Sequence, residues 1–160
     1  MARQKNKDPE GTKTICRNKR AFHDYEIIES LECGLVLTGT EVKSLREGSA
    51  SLESAYAKVE DGEVWLLGSD IPEYSMGNRM NHKPKRPRKL LLHRREIARF
   101  ADKAAERGLT LVPLRIYFKN GLAKVELAVA KGKQLFDKRE AKKKADAQRD
   151  IKRELSRRRR

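Results

Sequence analysis

The chain has 160 residues, with 38 Lys or Arg against 23 Asp or Glu and a formal net charge of +15. One ordinary domain fits this length, and about 110 residues remain for a core once both charged ends are set aside. No apolar run exceeds four residues, which excludes a membrane-spanning helix. The basic excess favours RNA or DNA as partner, with an anionic membrane surface as the alternative.

Residues 1–17 are polar, contain Asp8-Pro9 and Glu10-Gly11, and show no sustained period. They predict a disordered basic arm. No apolar run follows its charges, so we expect no signal peptide and a cytoplasmic location. Cys16 and Cys33 are isolated and are expected to be reduced, structural thiols.

The predicted RNA-binding domain spans 18–132. Short strands are expected at Tyr25–Leu31 and Leu35–Leu37, separated by a turn at Glu32-Cys33-Gly34. A short helix follows, with Thr40 as N-cap and Gly48 as its stop. Asp61-Gly62 predicts a hairpin between 54–60 and 63–70, because both residues tolerate positive φ.

The second half of the domain begins with a loop from Pro72 to Arg88, whose length suggests that it is functional or mobile. A short strand follows at Lys89–Leu92, of which Leu91 and Leu92 face opposite ways. Either one meets solvent or a partner, or both are buried. The apolar spacing predicts a helix at His93–Arg107. Asn120-Gly121 then predicts a hairpin of Leu109–Lys119 with Leu122–Lys131. One face of its first strand is predicted to carry Val112, Leu114, Ile116 and Phe118, and the opposite face Leu111, Arg115, Tyr117 and Lys119. Lys124 is expected on the outward face of the second strand, opposite Ala123, Val125, Leu127 and Val129.

These elements place the chain in the mainly β class with helices. Six or seven mostly antiparallel strands with two interposed helices predict a small, closed or nearly closed barrel, because closure removes exposed edges. Small barrels of this type commonly bind oligonucleotides on one face.

The last thirty residues, 131–160, form a basic tail with fourteen Lys or Arg and five Asp or Glu. Its residues have good helix propensity, but too few are apolar to hold a helix folded alone. We expect the tail to fold when a polyanion neutralises its charge. The alternative is a solvated tail that aids solubility.

The sequence offers little for catalysis. His23 and Asp24 are adjacent on a segment predicted to be extended, where they would point to opposite faces. His82 and His93 lack metal-ligand neighbours at usual spacings, and contact with RNA or solvent is expected of them. The carboxylates Glu29, Glu32 and Glu41 are interpreted as counter-charge, with a nuclease metal site as the weaker alternative. We therefore expect no enzyme, catalytic residue, metal or cofactor.

Several strings resemble one known family. They are NKRAFHDYEI, GTEVKSLREG, GNRMNH, RKLLLHRREI, TLVPLRIYFKNG, KVELAVAKGK and DKR, in this order. They are similar to the small protein B family, the tmRNA-binding proteins of bacterial trans-translation. The resemblance covers about Asn18 to Arg139.

The resemblance implies a non-enzymatic adaptor with an OB-fold-like barrel and a tail, 133–160, that is disordered free and helical on the ribosome. Such an adaptor binds the tRNA-like domain of tmRNA and brings it, with the elongation factor Tu–GTP complex, to stalled ribosomes. Its partners would be tmRNA, the ribosome with its small-subunit rRNA and, through tmRNA, elongation factor Tu. A monomer is expected.

The resemblance also implies which residues do this. Those for the tRNA-like domain would be Asn18, Lys19, Arg20, Glu32, Leu91 and Lys124. Those for the decoding centre and the empty mRNA channel would be His23, Gly132, Phe136, Asp137, Lys138 and Arg139. The family usually has Ala at Cys33, and His or Tyr is common at Phe136, where this chain keeps a stacking ring without a polar group. The alternative function is a structural ribosomal protein with basic extensions.

Overall fold

The computed structural model describes residues 10–77 and 79–158. These residues form seven antiparallel strands and four helices. They are β1 (Thr12–Arg17), α1 (Lys19–Asp24), β2 (Tyr25–Leu35), α2 (Gly39–Arg46), β3 (Tyr56–Glu60), β4 (Glu63–Leu67), β5 (Arg88–Leu91), α3 (Arg94–Ala105), β6 (Leu109–Lys119), β7 (Leu122–Gly132) and α4 (Leu135–Arg158).

The strands close into a ring. Each strand in the order β6, β3, β4, β5, β2 and β7 pairs with the next, and β7 pairs back with β6. β1 adds to the outer edge of β6, next to the point where β3 joins it. The described residues therefore form a mainly β, antiparallel barrel of the predicted class, with three helices interposed between strands where two were predicted.

Both predicted hairpins are confirmed. Asp61 and Gly62 have φ of 51° and 72°, and Asn120 and Gly121 have φ of 50° and 79°. Positive φ at both central residues gives the turn a twist that matches the twist of the paired strands. The longer hairpin, β6 with β7, has the predicted bounds to within one residue.

The beginning of the chain differs from the prediction. Thr12–Arg17 form β1 on the edge of β6, where a disordered arm was expected, and residues 1–9 lie outside the described residues. Pairing with β6 supplies an order that the composition of the segment does not reveal. Asn18–Asp24 was not predicted as helical, yet Lys19–Asp24 form α1, capped by the side chain of Asn18.

β2 is also longer than predicted. It runs unbroken from Tyr25 to Leu35, so Glu32, Cys33 and Gly34 lie in a strand and not in a turn. The reason is non-local: these three residues pair with Glu126, Val125 and Lys124 of β7. The helix α2 likewise begins earlier than expected, with Thr38 at its N-cap in place of Thr40.

The main core fills the barrel and contains the inward side chains of β4, β6 and β7, with Phe100 of α3. A bulge between Pro113 and Arg115 shifts the register of β6. Val112 and Leu114 consequently pack in a second cluster under α1, with Ala21, and not on the face of Ile116 as the alternation predicted.

The loop after β4 is anchored through a buried ion-pair cluster. Glu41 of α2 accepts from Arg86 Nε (2.7 Å) and from Arg88 Nε (2.9 Å). Arg88 is fully buried, and its guanidinium also donates to Ser69 O (2.9 Å). Burial raises the pKa of Glu41, but the hydrogen bonds from Arg86 and Thr38, together with the positive charges of Arg88 and Arg86, outweigh that effect and lower it. Glu41 is thus structural counter-charge, which agrees with the preferred interpretation of this acid.

His82 and the cysteines have structural roles. His82 is buried, with Nδ1 2.9 Å from Thr40 Oγ1 and Nε2 2.8 Å from Ile71 O, so the expected contact with RNA or solvent is wrong for this residue. Cys16 and Cys33 are both free thiols, and burial raises the pKa of Cys33 to about 12. Among the described residues, no helix has the length and apolar character to cross a membrane.

Candidate nucleic-acid interface

One face of the barrel brings Glu32, Leu91 and Lys124 together. Gly34 of β2 pairs with Leu91 of β5 on one side and with Lys124 of β7 on the other. Cys33 and Leu90 point inward and are buried, so Gly34, Leu91 and Lys124 point outward, as does Glu32 two residues before Gly34. We call these four residues the Leu91 surface.

A hollow in the Leu91 surface results from the missing side chain of Gly34. Leu91 beside it is 54% exposed, which is unusual for a leucine within a strand. The sequence left two alternatives, that one of Leu91 and Leu92 meets solvent or a partner, or that both are buried. The exposure of Leu91 shows that the first is correct. The hollow is lined by Glu32, Gly34, Leu91 and Lys124 together with the first turn of α3 at His93 and Glu96.

Glu32 is held by neighbouring side chains. Tyr117 Oη donates to Glu32 Oε2 at 2.5 Å, Lys119 Nζ lies 3.2 Å from the same oxygen, and Lys124 Nζ lies 3.9 Å from Oε1. The hydrogen bond from Tyr117 lowers the pKa of Glu32. Glu32 is therefore ionised at neutral pH, and its charge is used to hold two lysines on the outer face. Tyr117 and Lys119 were not predicted for the site, although the alternation of β6 placed both on the face opposite Ile116.

A second group of polar residues lies where α1 meets the beginning of the tail. Asp24 accepts from His23 Nδ1 (2.9 Å), Arg20 Nε (3.2 Å) and Lys138 Nζ (3.3 Å). These four residues are the Asp24 cluster. The prediction that His23 and Asp24 point apart is wrong, because both lie at the end of α1 and not on an extended segment. The hydrogen bond from His23, with those from Lys138 and Arg20, lowers the pKa of Asp24 to about 2.

Backbone contacts also fix where the tail begins. Gly132 is the last residue of β7 and pairs with Tyr25. Lys133 N then donates to Asp24 O (2.9 Å), and Lys133 Nζ donates to Phe22 O (3.2 Å). α4 follows directly, so the barrel sets the position from which the tail leaves.

The remaining predicted residues are distributed as follows. Asn18 is buried, where Nδ2 donates to Pro113 O (3.0 Å) and Oδ1 accepts from Ala21 N (3.1 Å), so it positions α1. Lys19 is exposed on α1 and Arg139 is exposed on α4. Arg20 joins the Asp24 cluster, whereas it was predicted near Glu32 and Leu91. The side chains of Phe136 and Asp137 lie outside the described part of the chain.

The carboxylates that were the weaker candidates for a metal site are held by basic side chains. Glu29, one of the candidate ligands, instead pairs with Arg99 (2.6 Å) and Lys103 of α3. Within residues 10–77 and 79–158, no group of three His, Cys, Asp or Glu is placed to hold a metal ion.

Comparison with known proteins gives one consistent result. The family model described as SmpB protein matches residues 15–157. The SsrA-binding protein of Thermobifida fusca is 57% identical over 160 residues, covering 99% of this chain and 100% of the relative. That of Acidothermus cellulolyticus is 59% identical over 148 residues, covering 92% and 93%.

A solved structure shows the same similarity. It is described as "tmRNA-SmpB: a journey to the center of the bacterial ribosome", and one of its chains is 50% identical to this one with a TM-score of 0.65. The match covers 75% of this chain and 85% of that chain.

Proposed function

The chain belongs to the SmpB protein family, and from this membership we propose that it is a non-enzymatic RNA-binding adaptor of trans-translation. It binds the tRNA-like domain of tmRNA and delivers it to stalled ribosomes, with elongation factor Tu–GTP bound through the tmRNA. Its basic tail enters the decoding centre and the empty mRNA channel. It acts as a monomer in the cytoplasm.

The Leu91 surface is the observation that carries the first part of this proposal. A hollow with an exposed leucine on one side and a lysine on the other suits a nucleotide whose base meets the apolar group and whose phosphate meets the cation. Glu32 pairs with Lys119 and Lys124, so their ammonium groups are held in position before RNA binds. Preorganised groups lose less conformational entropy on binding.

The Leu91 surface and the Asp24 cluster lie at opposite ends of β2, and this separation supports the second part. Lys138 and His23 are joined through Asp24 where the barrel ends, and the tail, residues 131–160, carries +9 of the formal net charge of +15. An RNA held by the Leu91 surface would leave this end available for a second RNA. Phe136 would stack on a base there and Asp137 would follow it in α4, as the family resemblance implies.

Binding of the tRNA-like domain to point variants tests the Leu91 surface. Lys124→Ala should weaken binding and lower the slope of log K against log salt by about 0.7 to 0.9, the effect of one phosphate contact. Leu91→Ala should weaken binding with the salt slope unchanged, because no charge is lost. Arg46→Ala, which removes an exposed cation of α2, is the matched control and should bind as the unmodified protein does.

Two results would contradict the proposal. One is that the variants Leu91→Ala and Lys124→Ala bind tmRNA as tightly as Arg46→Ala does. The other is retention of the protein in stoichiometric amounts on salt-washed ribosomes from cells without tmRNA, which would support a structural ribosomal protein instead.

Truncation after Gly132 tests whether the barrel and the tail have separate functions. β7 ends at Gly132, so the barrel should remain folded and bind the tRNA-like domain nearly as before. Peptide tagging on stalled ribosomes should be abolished, since the tail is absent. If tmRNA binding were lost with the tail, the two functions would not be separable in this way.

A further inference from the structure

A cleft of about 420 Å³ opens beside α1, on the edge of β6 that β1 and β3 share. β1 pairs with β6 as far as Arg115, and β3 pairs with it at Leu111. Between these points Asn18 bonds to the carbonyl groups of Pro113 and Leu114. Strand pairing is thus interrupted here, because Pro113 has no N–H to donate to a ladder, and the interruption leaves a concave site.

The floor of the cleft is apolar and one wall is aromatic. Ala21, Ala55 and Val112 line it and are buried. Tyr56 lies at its edge with 49% of its surface exposed, and Tyr25 is half-buried beside α1. An exposed aromatic ring next to a small apolar floor can stack a second planar ring.

The rim of the cleft is polar and of mixed charge. Its members are Arg20, Asp24, Glu53, Ser54 and Thr110. The Arg20 side chain is 69% exposed and keeps Nε on Asp24, from where a guanidinium can reach a phosphate. Glu53, Ser54 and Thr110 can accept from or donate to the edge of a base. Asp24 repels a phosphate, so the phosphate belongs on the solvent side of Arg20.

We propose that this cleft binds a single unstacked RNA nucleotide, with its base against Tyr56 and its phosphate on Arg20. The aromatic wall suits the face of a base, the polar rim suits the edge of the base, and the cation suits the phosphate. The proposal rests on the proposed function. The RNA in question is then the second RNA of that proposal, bound at the end of the barrel where α4 begins. Arg20 and Asp24 place the cleft there, because they belong both to the cleft and to the Asp24 cluster. A cleft of this volume holds one small ligand and not a helix of RNA.

The test compares Tyr56→Ala with Tyr56→Phe in the full chain bound to tmRNA. Tyr56→Ala should weaken binding of the complex to ribosomes by about 5- to 100-fold, the loss of one base–aromatic stack. Tyr56→Phe keeps the ring and should bind as the unmodified protein does. Lys58→Ala is the positional control, because Lys58 lies two residues further on the same face of β3, outside the cleft, and is exposed. Binding of free tmRNA should change by less than about twofold in all three, since the Leu91 surface is untouched.

Chemical footprinting identifies the ligand. The unmodified protein should protect one unpaired rRNA base that Tyr56→Ala leaves reactive, with equal melting temperatures showing that both proteins are folded. Equal ribosome binding by Tyr56→Ala and Lys58→Ala would overturn the proposal. So would a crosslink from a photoreactive residue at position 56 to a ribosomal protein instead of rRNA. Failure of Leu91→Ala to weaken tmRNA binding would count against the proposed function instead, so the two failures are distinguishable.

Discussion

Glu41 and Arg88 form an ion pair of 2.9 Å in which both side chains are fully buried. The pair joins α2 to the beginning of β5, and Arg86 adds a second cation at 2.5 Å. The loop between β4 and β5 is long, and this cluster together with His82 fixes its ends. The barrel thus has a polar anchor beside its apolar core.

Removing Glu41 should destabilise the fold strongly. Glu41→Ala leaves Arg88 buried without its carboxylate, which typically costs about 3–5 kcal/mol of unfolding free energy. Glu63→Ala removes the partner of Lys89 from a half-exposed pair and should cost less than about 1 kcal/mol. Urea denaturation of both variants measures the difference, and equal midpoints would show that the buried pair contributes no more than the exposed one.

Asp24 should control how firmly the tail is attached. Asp24→Asn removes the charge that holds Lys138, so amide hydrogen exchange over 133–140 should become faster. Asp146→Asn alters only a surface pair with Arg149 within α4 and is the control. Unchanged exchange over 133–140 in Asp24→Asn would mean that the backbone bond from Lys133 to Asp24 holds the tail without help.

The same contact predicts a pH dependence. The hydrogen bond from His23, with those from Lys138 and Arg20, depresses the pKa of Asp24 from 3.8 to about 2. The tail contact is therefore fully present at neutral pH and is lost only as the pH falls through about 2. An NMR titration of the Asp24 carboxyl group measures this, and Lys138→Ala should move its midpoint upward. A midpoint of 3.8 in the unmodified protein would exclude the contact.

Filling the hollow of the Leu91 surface should weaken tmRNA binding while the fold is kept. A Cβ at Gly34 would lie 3.1 Å from Leu91 Cβ, so Leu91 must move by a few tenths of an ångström. Gly34→Ala should therefore reduce the affinity for the tRNA-like domain, and Gly34→Val should reduce it further. Gly39→Ala is the control, because a Cβ there meets nothing within 4 Å. Full affinity of Gly34→Val would show that RNA does not enter the hollow.

Two glycines should respond differently to substitution by alanine. Gly132 has no positive φ, and a Cβ added there would meet nothing within 4 Å, so Gly132→Ala should change the unfolding free energy by less than about 1 kcal/mol. Gly68 has φ of 71°, and a Cβ there would lie 2.5 Å from Ser54 O. Gly68→Ala should lower the melting temperature by several degrees, as a strained backbone does. Loss of tagging in a stably folded Gly132→Ala would then point to ribosome contact at that residue.

Local signals in the sequence were sufficient for the strongest elements. The β6–β7 hairpin followed from alternating apolar residues around Asn120-Gly121, and α3 followed from its apolar spacing. Both patterns depend on neighbours within a few residues, which the sequence displays directly. The outward position of Lys124 followed from the same alternation.

Pairing between distant strands set the remaining features. Glu32-Cys33-Gly34 has the composition of a turn, but pairing with β7 and β5 keeps it extended and creates the hollow beside Leu91. The bulge at Leu114 moves part of β6 under α1, and the interrupted edge beside it forms the cleft at Tyr56.

The Asp24 cluster combines contacts between near neighbours in the chain with a contact between distant residues. Asp24 gathers Arg20 and His23 from its own helix with Lys138, which lies far along the chain in the tail. Local pattern and motif were enough to establish the class of fold and its family, because both depend on residues close together in the chain. Ring closure determined which side chains meet, because it depends on contacts between residues distant in the chain.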